Sequence, residues 1–166
     1  MMFPKRASFA AALLLAAMLS ACGFQLRGQY NLPFTSVFVS TPGGSVVAAE
    51  LKRELANIPT KLMPTPKDAD AQLNIFEDRR DRQILSISAA GRVREYDLKL
   101  RVLYQLTDGK GGVLIPTSEI LLSRILSYDD SRIIAKQQEE ALLYQDMERD
   151  AVAQILRRMT AIKRAA

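Results

Sequence analysis

The sequence predicts an α+β fold: a two-layer sandwich in which two helices pack on one face of a roughly four-stranded mixed sheet, in the order β-α-β-β-β-α. Two segments carry apolar residues at helical spacing, and residues 94–106 alternate apolar and polar side chains as a half-buried strand does. Residues 34–166 are enough for one domain with its own core. Two apolar helix stripes and one sheet face then bury each other, which leaves the second sheet face free.

Composition and capping mark the first strand and the first helix. Residues 34–40 are rich in β-branched and aromatic side chains, which predicts a strand, and residues 41–44 form a loop. Ser45 is a suitable N-cap for the helix that follows, and Pro59 ends that helix. The apolar residues at helical spacing between them are Val47, Ala48, Leu51, Leu55 and Ile58.

The second strand is predicted to pass through a run of charge. Residues 60–69 contain two prolines and are predicted to be a loop, after which alternation resumes over residues 71–76. Residues 77–82 carry three acids and three arginines, and residues 83–88 are again strand-like. We interpret residues 71–88 as one long strand whose middle is solvated or lies at an edge.

The central hairpin is the clearest pattern in the chain. Residues 94–106 place apolar side chains, Tyr96 and Tyr104 among them, on a face that we predict to be core, while Lys99, Arg101 and Gln105 point to the uncovered face. Residues 107–112 are rich in turn-forming residues, and residues 113–126 form the next strand. Together these segments predict an antiparallel hairpin.

One long amphipathic helix is predicted from residue 130 or 131 to about Lys163. Basic residues gather at its end, as the helix dipole favours. Its predicted apolar stripe consists of Ile134, Ala141, Leu142, Tyr144, Ala151, Val152, Ile155, Met159 and Ile162.

The amino terminus has the layout of a secretory signal peptide. Lys5 and Arg6 precede an uncharged apolar run over residues 7–19, and small residues lead from it to Cys22. The apolar run is shorter than the ~20 residues that a membrane-spanning helix needs. Residues 19–22, Leu-Ser-Ala-Cys, also resemble a bacterial lipobox, in which the cysteine is lipidated and becomes the first residue of the mature protein.

We therefore expect residues 1–21 to be a cleaved lipoprotein signal peptide, residues 22–33 a lipid-anchored tether, and residues 34–166 a single domain. Several acyl chains on Cys22, at about 0.8 kcal/mol of membrane affinity per methylene, would hold the domain at a membrane surface. An ordinary signal peptide that leaves a free thiol and a transmembrane anchor are the alternatives.

Composition excludes several classes of function. The chain has one cysteine and no histidine, so it offers no internal disulfide, no cysteine and histidine zinc site, and no imidazole to activate a thiol. Without Lys5 and Arg6, 21 basic residues face 18 acidic ones, a net charge of +3. This mild charge, without a long basic run, does not favour nucleic-acid binding. We predict no catalytic residues, no metal site and no cofactor.

The ordered features resemble those of a known family, the lipopolysaccharide (LPS) assembly lipoproteins LptE (RlpB) of Gram-negative bacteria. The lipobox is followed by Cys22-Gly23-Phe24-Gln25-Leu26-Arg27, and a Glu95-Tyr96 pair enters a strand shortly after Gly91. The central hairpin follows, and Ala135-Lys136 lies near the start of the last helix. The resemblance spans the mature chain.

The resemblance implies both a partner and a ligand. It implies that the protein is anchored by acylated Cys22 in the outer membrane on its periplasmic face, and that it forms a complex with the LptD β-barrel and plugs it. It would help the barrel assemble, bind LPS, and take part in LPS transport and insertion at the cell surface. For LPS binding it implies basic residues at Lys136 and near Gly91, where Ala89 replaces an arginine and Arg92 and Arg94 lie close by.

Two other classes of function remain open at the level of sequence. One is a cell-wall hydrolase, which needs two carboxylates poised across a cleft. The other is a free-standing lipid-anchored periplasmic binding domain, which needs a roomy apolar cavity if it carries a lipid. Lys136 is also placed to pair with Glu139 or Glu140 one helical turn away, with no ligand involved.

Overall fold

The computed structural model describes residues 30–41 and 43–162. The elements in chain order are β1 (Ser36–Ser40), α1 (Val46–Leu55), β2 (Lys61–Leu62), a 3-10 turn (Pro66–Asp68), β3 (Ala71–Ile87), β4 (Val93–Asp108), β5 (Val113–Ser127), a second 3-10 turn (Asp130–Arg132) and α2 (Ile133–Thr160). The strands form one sheet in the order β2, β1, β3, β4, β5, in which β1 is parallel to both of its neighbours and the other pairs are antiparallel.

The predicted α+β sandwich with two helices on one sheet face is confirmed. The difference is β2, a two-residue strand within the predicted loop over residues 60–69. It forms because the chain after α1 returns beside β1, where the amide of Lys61 donates to the carbonyl of Thr35 at 3.0 Å. Within the described residues the sheet therefore has five strands, where roughly four were predicted.

The start of α1 is fixed by a residue of the charged run. Ser45 is the N-cap, as predicted, and its hydroxyl oxygen accepts from the amide of Ala48 at 2.9 Å. The carboxylate of Asp78 accepts from the Ser45 hydroxyl at 2.8 Å and from the amide of Val47 at 3.0 Å. An anion at a helix N-terminus satisfies free amides and suits the dipole, so Asp78 ties α1 to β3.

A β-bulge in β3 decides which residues of the charged run face the helices. Ile75 pairs with Tyr104, but Glu77 pairs with Leu103, so Phe76 is an extra residue without a paired position. Odd-numbered residues of β3 face the core before the bulge, and even-numbered residues face the helix side from Asp78 to Ile84, after which the register shifts again. Arg80, for example, pairs with the fully buried Leu100.

The core lies between the helices and the sheet, and it includes residues ahead of β1. Leu32, within the predicted tether, is 8% exposed, and Phe34 is 5% exposed. Tyr104 is fully buried and Tyr96 packs against the core in part, as predicted. The largest fully buried side chains are Tyr104, Leu51, Leu55, Leu73, Ile75, Leu98, Leu100, Leu106, Leu126, Met147, Ile155 and Leu156.

Only the second part of α2 is buried. Its buried residues begin at Tyr144 and run to Met159. The predicted stripe was wrong for Ile134, Ala141 and Leu142, which are exposed because α2 extends past the part of the sheet that is wide enough to cover it. Neither helix of the described chain combines the length and hydrophobicity that a membrane span requires.

Candidate binding surface at the distal end

The molecule continues beyond the reach of β1 and α1 as three strands and the first part of α2. Strand β1 pairs with β3 only over residues 71–74, so in the part of the chain that the structure describes the rest of β3 has no neighbour on that side. We call residues 79–97 and 121–143 the distal end, and the other described residues the core end. Leu126 is the only buried residue in the distal end.

A tight turn joins β3 to β4 and carries two of the predicted site residues. The amide of Ser88 donates to the carbonyl of Arg92 at 2.7 Å, and Gly91 has a φ of +75°, a conformation that glycine adopts without strain. Arg92 and Arg94 are exposed. Within the described chain neither guanidinium forms an ion pair, so both are available to an anionic ligand.

Lys136 lies at the same end of the molecule but is already engaged. Its ammonium donates to the Ser127 hydroxyl at 3.1 Å and pairs with the Glu139 carboxylate at 2.7 Å, and its side chain is 15% exposed. Ser127 is followed by Tyr128, whose amide donates to the carbonyl of Arg94 at 2.7 Å. The fold thus brings Lys136 and Arg94 to one end, although they are far apart in sequence.

Exposed apolar side chains lie at the same end of the molecule as these cations, and the sequence-based search for a site missed them. Ile84, Leu85 and Ile87 end β3, and they were interpreted as ordinary strand residues. The signal available in the sequence was the presence of apolar residues at positions that neither predicted helix could cover. The large apolar side chains exposed in the distal end are Ile84, Leu85, Ile87, Leu121, Ile125, Ile133, Ile134 and Leu142, each at least 45% exposed.

Ion pairs and aromatic rings connect α2 to β3 where the distal end meets the core end. Arg80 donates through Nε to the carboxylate of Glu148 at 2.8 Å and lies 5.1 Å from the centre of the Tyr144 ring. The Tyr144 hydroxyl donates to the carbonyl of Asp81 at 2.6 Å. Both arginine contacts remain partly open to water, since the Arg80 side chain is 44% exposed.

A second arginine repeats this arrangement closer to the turn. Arg82 pairs with Glu140 at 2.9 Å and lies 4.7 Å from the centre of the Tyr96 ring. The rings of Tyr96 and Tyr128 in turn meet edge to face, with ring centres 5.1 Å apart. Such cation–π and edge-to-face contacts each contribute about 0.5–1.5 kcal/mol. They therefore help to orient α2 where few apolar side chains are buried.

Burial perturbs the titration of two groups on α2. Desolvation raises the pKa of Glu148 above its ordinary value, and the hydrogen bond and charge of Arg80 oppose that rise. Desolvation also raises the pKa of Tyr144. Among the described residues Glu148 is the one buried acid, and its ion-pair partner is Arg80.

The open face of the sheet carries a ladder of charged side chains. Arg101 pairs with Glu119 at 2.6 Å and with Glu77 at 3.4 Å, and Lys99 pairs with Asp97 at 3.3 Å. The Ser123 hydroxyl hydrogen-bonds Asp97 and lowers its pKa. This face is polar at Lys99, Arg101 and Gln105, as predicted, but the exposed Leu121 and Ile125 also lie on it, opposite Arg101 and Asp97.

Metal ligation finds no support in the part of the chain that the structure describes. No group of three or more acidic or sulfur side chains there is arranged to hold a metal ion. Cys22, the predicted lipidation site, lies outside the described residues. The surface features are instead those of binding: exposed apolar and cationic side chains at one end and a polar sheet face beside them.

The fold is that of small α+β bacterial lipoproteins. A lipoprotein B from Nitrosomonas europaea, solved by NMR, is 40% identical, with a TM-score of 0.73 over 84% of this chain and 91% of that chain. A minor lipoprotein from Acinetobacter baumannii is 25% identical, with a TM-score of 0.63 over 79% and 94%. The rare lipoprotein B from Shewanella oneidensis is 23% identical, with a TM-score of 0.64 over 76% and 94%, and shows the fold alone.

The family is shown by a direct match to its model. The model of the lipopolysaccharide-assembly family LptE matches residues 34–159. This range includes β1 to β5, α1, and all of α2 except its last residue, Thr160. The chain belongs to the LptE family. Comparison with curated proteins gave no significant match.

Proposed function

We propose that this protein is an outer-membrane lipoprotein, anchored by acylated Cys22, that plugs an LptD-type β-barrel and binds LPS on its way to the cell surface. It acts by binding and has no catalytic role. The observation that carries the proposal is the distal end, where exposed apolar residues lie beside Arg92, Arg94 and Lys136. LPS combines acyl chains with phosphates, and these two kinds of side chain match that combination.

The two arginines are the stronger phosphate ligands of the three cations. Arg92 and Arg94 are exposed and have no ion-pair partner among the described residues, and guanidinium groups bind phosphate in a bidentate way. Lys136 would have to exchange Glu139 and Ser127 for a phosphate oxygen. We therefore assign Arg92 and Arg94 to direct contact and Lys136 to a contact that depends on breaking an existing ion pair.

The polar sheet face supports the proposed place inside a barrel. Barrel interiors are polar, and the charged ladder of Glu77, Lys99, Arg101 and Glu119 needs a wet or polar neighbour. The distal end projects from the core end as a narrow extension, since β1 and α1 stop short of it. A lumen that takes in this extension together with the adjoining strands would place the charged ladder against its wall.

A pull-down from outer membranes tests the partner. The protein, tagged and expressed at native level, is recovered in mild detergent, and co-purifying proteins are identified by mass spectrometry. We expect one large β-barrel protein in equal proportion. Recovery without any barrel would contradict the plug and favour a free-standing lipid-anchored binding domain. In a separate activity assay on cell-wall glycan, release of product would favour a hydrolase.

Charge reversal at the distal end tests LPS binding. We expect Arg92→Glu/Arg94→Glu to weaken binding of purified LPS at least tenfold, because even one charge-assisted hydrogen bond contributes about 1.5–3 kcal/mol and about 1.4 kcal/mol is a factor of ten. Lys67→Glu/Lys110→Glu makes the same change in net charge at exposed positions of the core end. Equal loss in both double variants would show that only net charge matters and that the distal end is not the site.

A further inference from the structure

An open groove between β3 and the first half of α2 lies beside the cations assigned to phosphate. Its volume is about 470 Å³, within the range of about 300–1,000 Å³ that small-molecule sites occupy. The residues that line it are Arg80, Arg82, Gln137, Glu140, Ala141 and Tyr144. Every lining side chain except that of Ala141 carries a polar group, so the groove differs from the exposed apolar surface of the distal end.

The charges of the groove are compensated within the fold. Arg80 pairs with Glu148, and Arg82 pairs with Glu140 at 2.9 Å. Two guanidinium groups therefore face two carboxylates. A phosphate in the groove would meet the carboxylate of Glu140 as well as the guanidinium groups, and like charges brought together disfavour binding. The groove consequently suits a neutral ligand.

Hydrogen-bonding groups remain available in the groove despite these ion pairs. Arg82 donates through Nη1 to Oε2 of Glu140, which leaves its other N–H groups and the second carboxylate oxygen for a ligand. The Arg82 side chain is 48% exposed. Gln137 is exposed as well, and its amide, which can both donate and accept, forms no hydrogen bond with another described residue.

A sugar is a neutral ligand whose chemistry matches this set. Each sugar hydroxyl both donates and accepts, so neighbouring hydroxyls need donors and acceptors side by side. The Arg82–Glu140 pair and the Gln137 amide provide them. Tyr144 is already engaged, because its hydroxyl donates to the carbonyl of Asp81 at 2.6 Å and Arg80 lies over its ring. Polar contacts, and not stacking on an aromatic ring, would therefore hold the sugar.

The position of the groove connects it to the proposed phosphate contacts. Arg94 and Tyr96 lie on the same side of β4, because side chains two residues apart share a face, and Arg82 lies 4.7 Å from the centre of the Tyr96 ring. Gln137 directly follows Lys136 on α2. LPS carries sugars next to its phosphates. A molecule of LPS held at these cations by its phosphates therefore has its sugars near the groove.

We propose that this groove is a sugar subsite for the core oligosaccharide of LPS, with Gln137, Arg82 and Glu140 as its hydrogen-bonding residues. The proposal rests on the LPS-binding function proposed above. The ion pairs between β3 and α2 then have a second role besides structure, because they remove the net charge that would attract phosphate to the groove. Phosphates and sugar hydroxyls are thereby bound by separate parts of the surface.

A comparison of two ligands tests the proposal. LPS with its core oligosaccharide and lipid A, which has acyl chains and phosphates but no core, are titrated against the full mature protein in detergent. We expect the parent to bind LPS about fivefold more tightly than lipid A, because the core adds at least one neutral hydrogen bond. Gln137→Leu should weaken LPS binding about fivefold and leave lipid A binding unchanged. Ala141→Phe, at an exposed position, fills the groove and should have the same effect.

The chain offers a matched control at the next position of α2. Gln138→Leu makes the same substitution at an exposed residue that does not line the groove, so its binding of both ligands should equal that of the parent. Circular dichroism checks that each variant is folded. Soluble core oligosaccharide should compete with LPS for the parent, whereas glycan strands from the cell wall should not.

The outcomes separate this subsite from the proposed function. Equal binding of LPS and lipid A by the parent, unchanged LPS binding in both Gln137→Leu and Ala141→Phe, or equal losses of the two ligands in these variants would overturn the sugar subsite and leave LPS binding in place. Competition by cell-wall glycan and not by the core oligosaccharide would overturn the assignment to LPS. Binding of neither ligand by the folded parent would contradict the proposed function, and the subsite with it.

Discussion

Leu100 and Tyr96 lie on the same face of β4, four residues apart, yet Leu100 is fully buried while Tyr96 is partly open to water. At Leu100, α2 and the sheet enclose a core to which α1 also contributes. At Tyr96, the neighbouring groups are Arg82 and Tyr128. The same strands and the same helix are therefore stabilised by apolar burial at one end and by charge and aromatic contacts at the other.

This difference indicates which end is free to bind. The distal end exposes its large apolar side chains near cations instead of burying them in a core. Contiguous apolar patches on a protein surface commonly mark interaction sites. Regions with few buried contacts also open most readily, which helps a surface adapt to a large ligand. Four changes test the contrast, from the largest expected effect on stability to the smallest.

Removing one buried side chain from the core end should have the largest effect. We expect Leu100→Ala to lower the free energy of unfolding by about 2–5 kcal/mol, since it deletes buried methyl groups and leaves a cavity. Ile87→Ala in the distal end, where Ile87 is 62% exposed, should change it by less than about 0.5 kcal/mol. Denaturant unfolding of both variants measures the difference, and equal losses would remove the distinction between the ends.

Loss of Arg80 should have an intermediate effect. Arg80→Leu leaves the 4% exposed Glu148 without its ion-pair partner, at a cost of about 1–3 kcal/mol. Arg82→Leu removes a more exposed pair and should cost about 1 kcal/mol or less. Chemical denaturation again provides the measurement, and a larger loss for Arg82→Leu would show that the outer contacts hold α2 in place.

The pH dependence of stability should show the burial of Glu148. Its folded-state pKa is raised, so as the pH falls from neutral the folded protein takes up this proton before the unfolded chain does, and stability rises. Glu148→Gln removes this titration. We expect the free energy of unfolding of the parent protein, minus that of Glu148→Gln, to increase between pH 7 and pH 5, as followed by denaturant unfolding. A difference that falls over this range would mean that Arg80 outweighs burial.

Adding charge to the distal apolar surface should affect stability least. Ile87→Asp and Ile134→Asp replace side chains that are 62% and 69% exposed, so each should change the free energy of unfolding by less than about 0.5 kcal/mol. LPS binding, by contrast, should fall, because acyl chains lose an apolar contact. Val113→Asp, at a 58% exposed position of the core end, is the matched control, and its binding should match that of the parent. Unchanged LPS binding in both isoleucine variants would separate the apolar surface from function.

Local patterns in the sequence determined most of the fold. The Ser45 cap, the alternation through β4, the glycine-rich turn at residues 109–112 and the helical spacing of α1 and of the second part of α2 depend on neighbouring residues alone. The predicted layers, the long β3 and the antiparallel hairpin follow from them. The positions of Arg92 and Arg94 beside a turn were also predictable, because Gly91 marks the turn.

Only the tertiary structure decided which residues of one element face which residues of another. The bulge at Phe76 turned Asp78, Arg80 and Arg82 toward the helices, and no local pattern fixes the side of a strand after a bulge. The short β1 left the distal end without cover, which exposed Ile134 and Leu142 despite their helical spacing. Periodicity shows that a helix has an apolar side, but whether that side is buried depends on how far its neighbours extend.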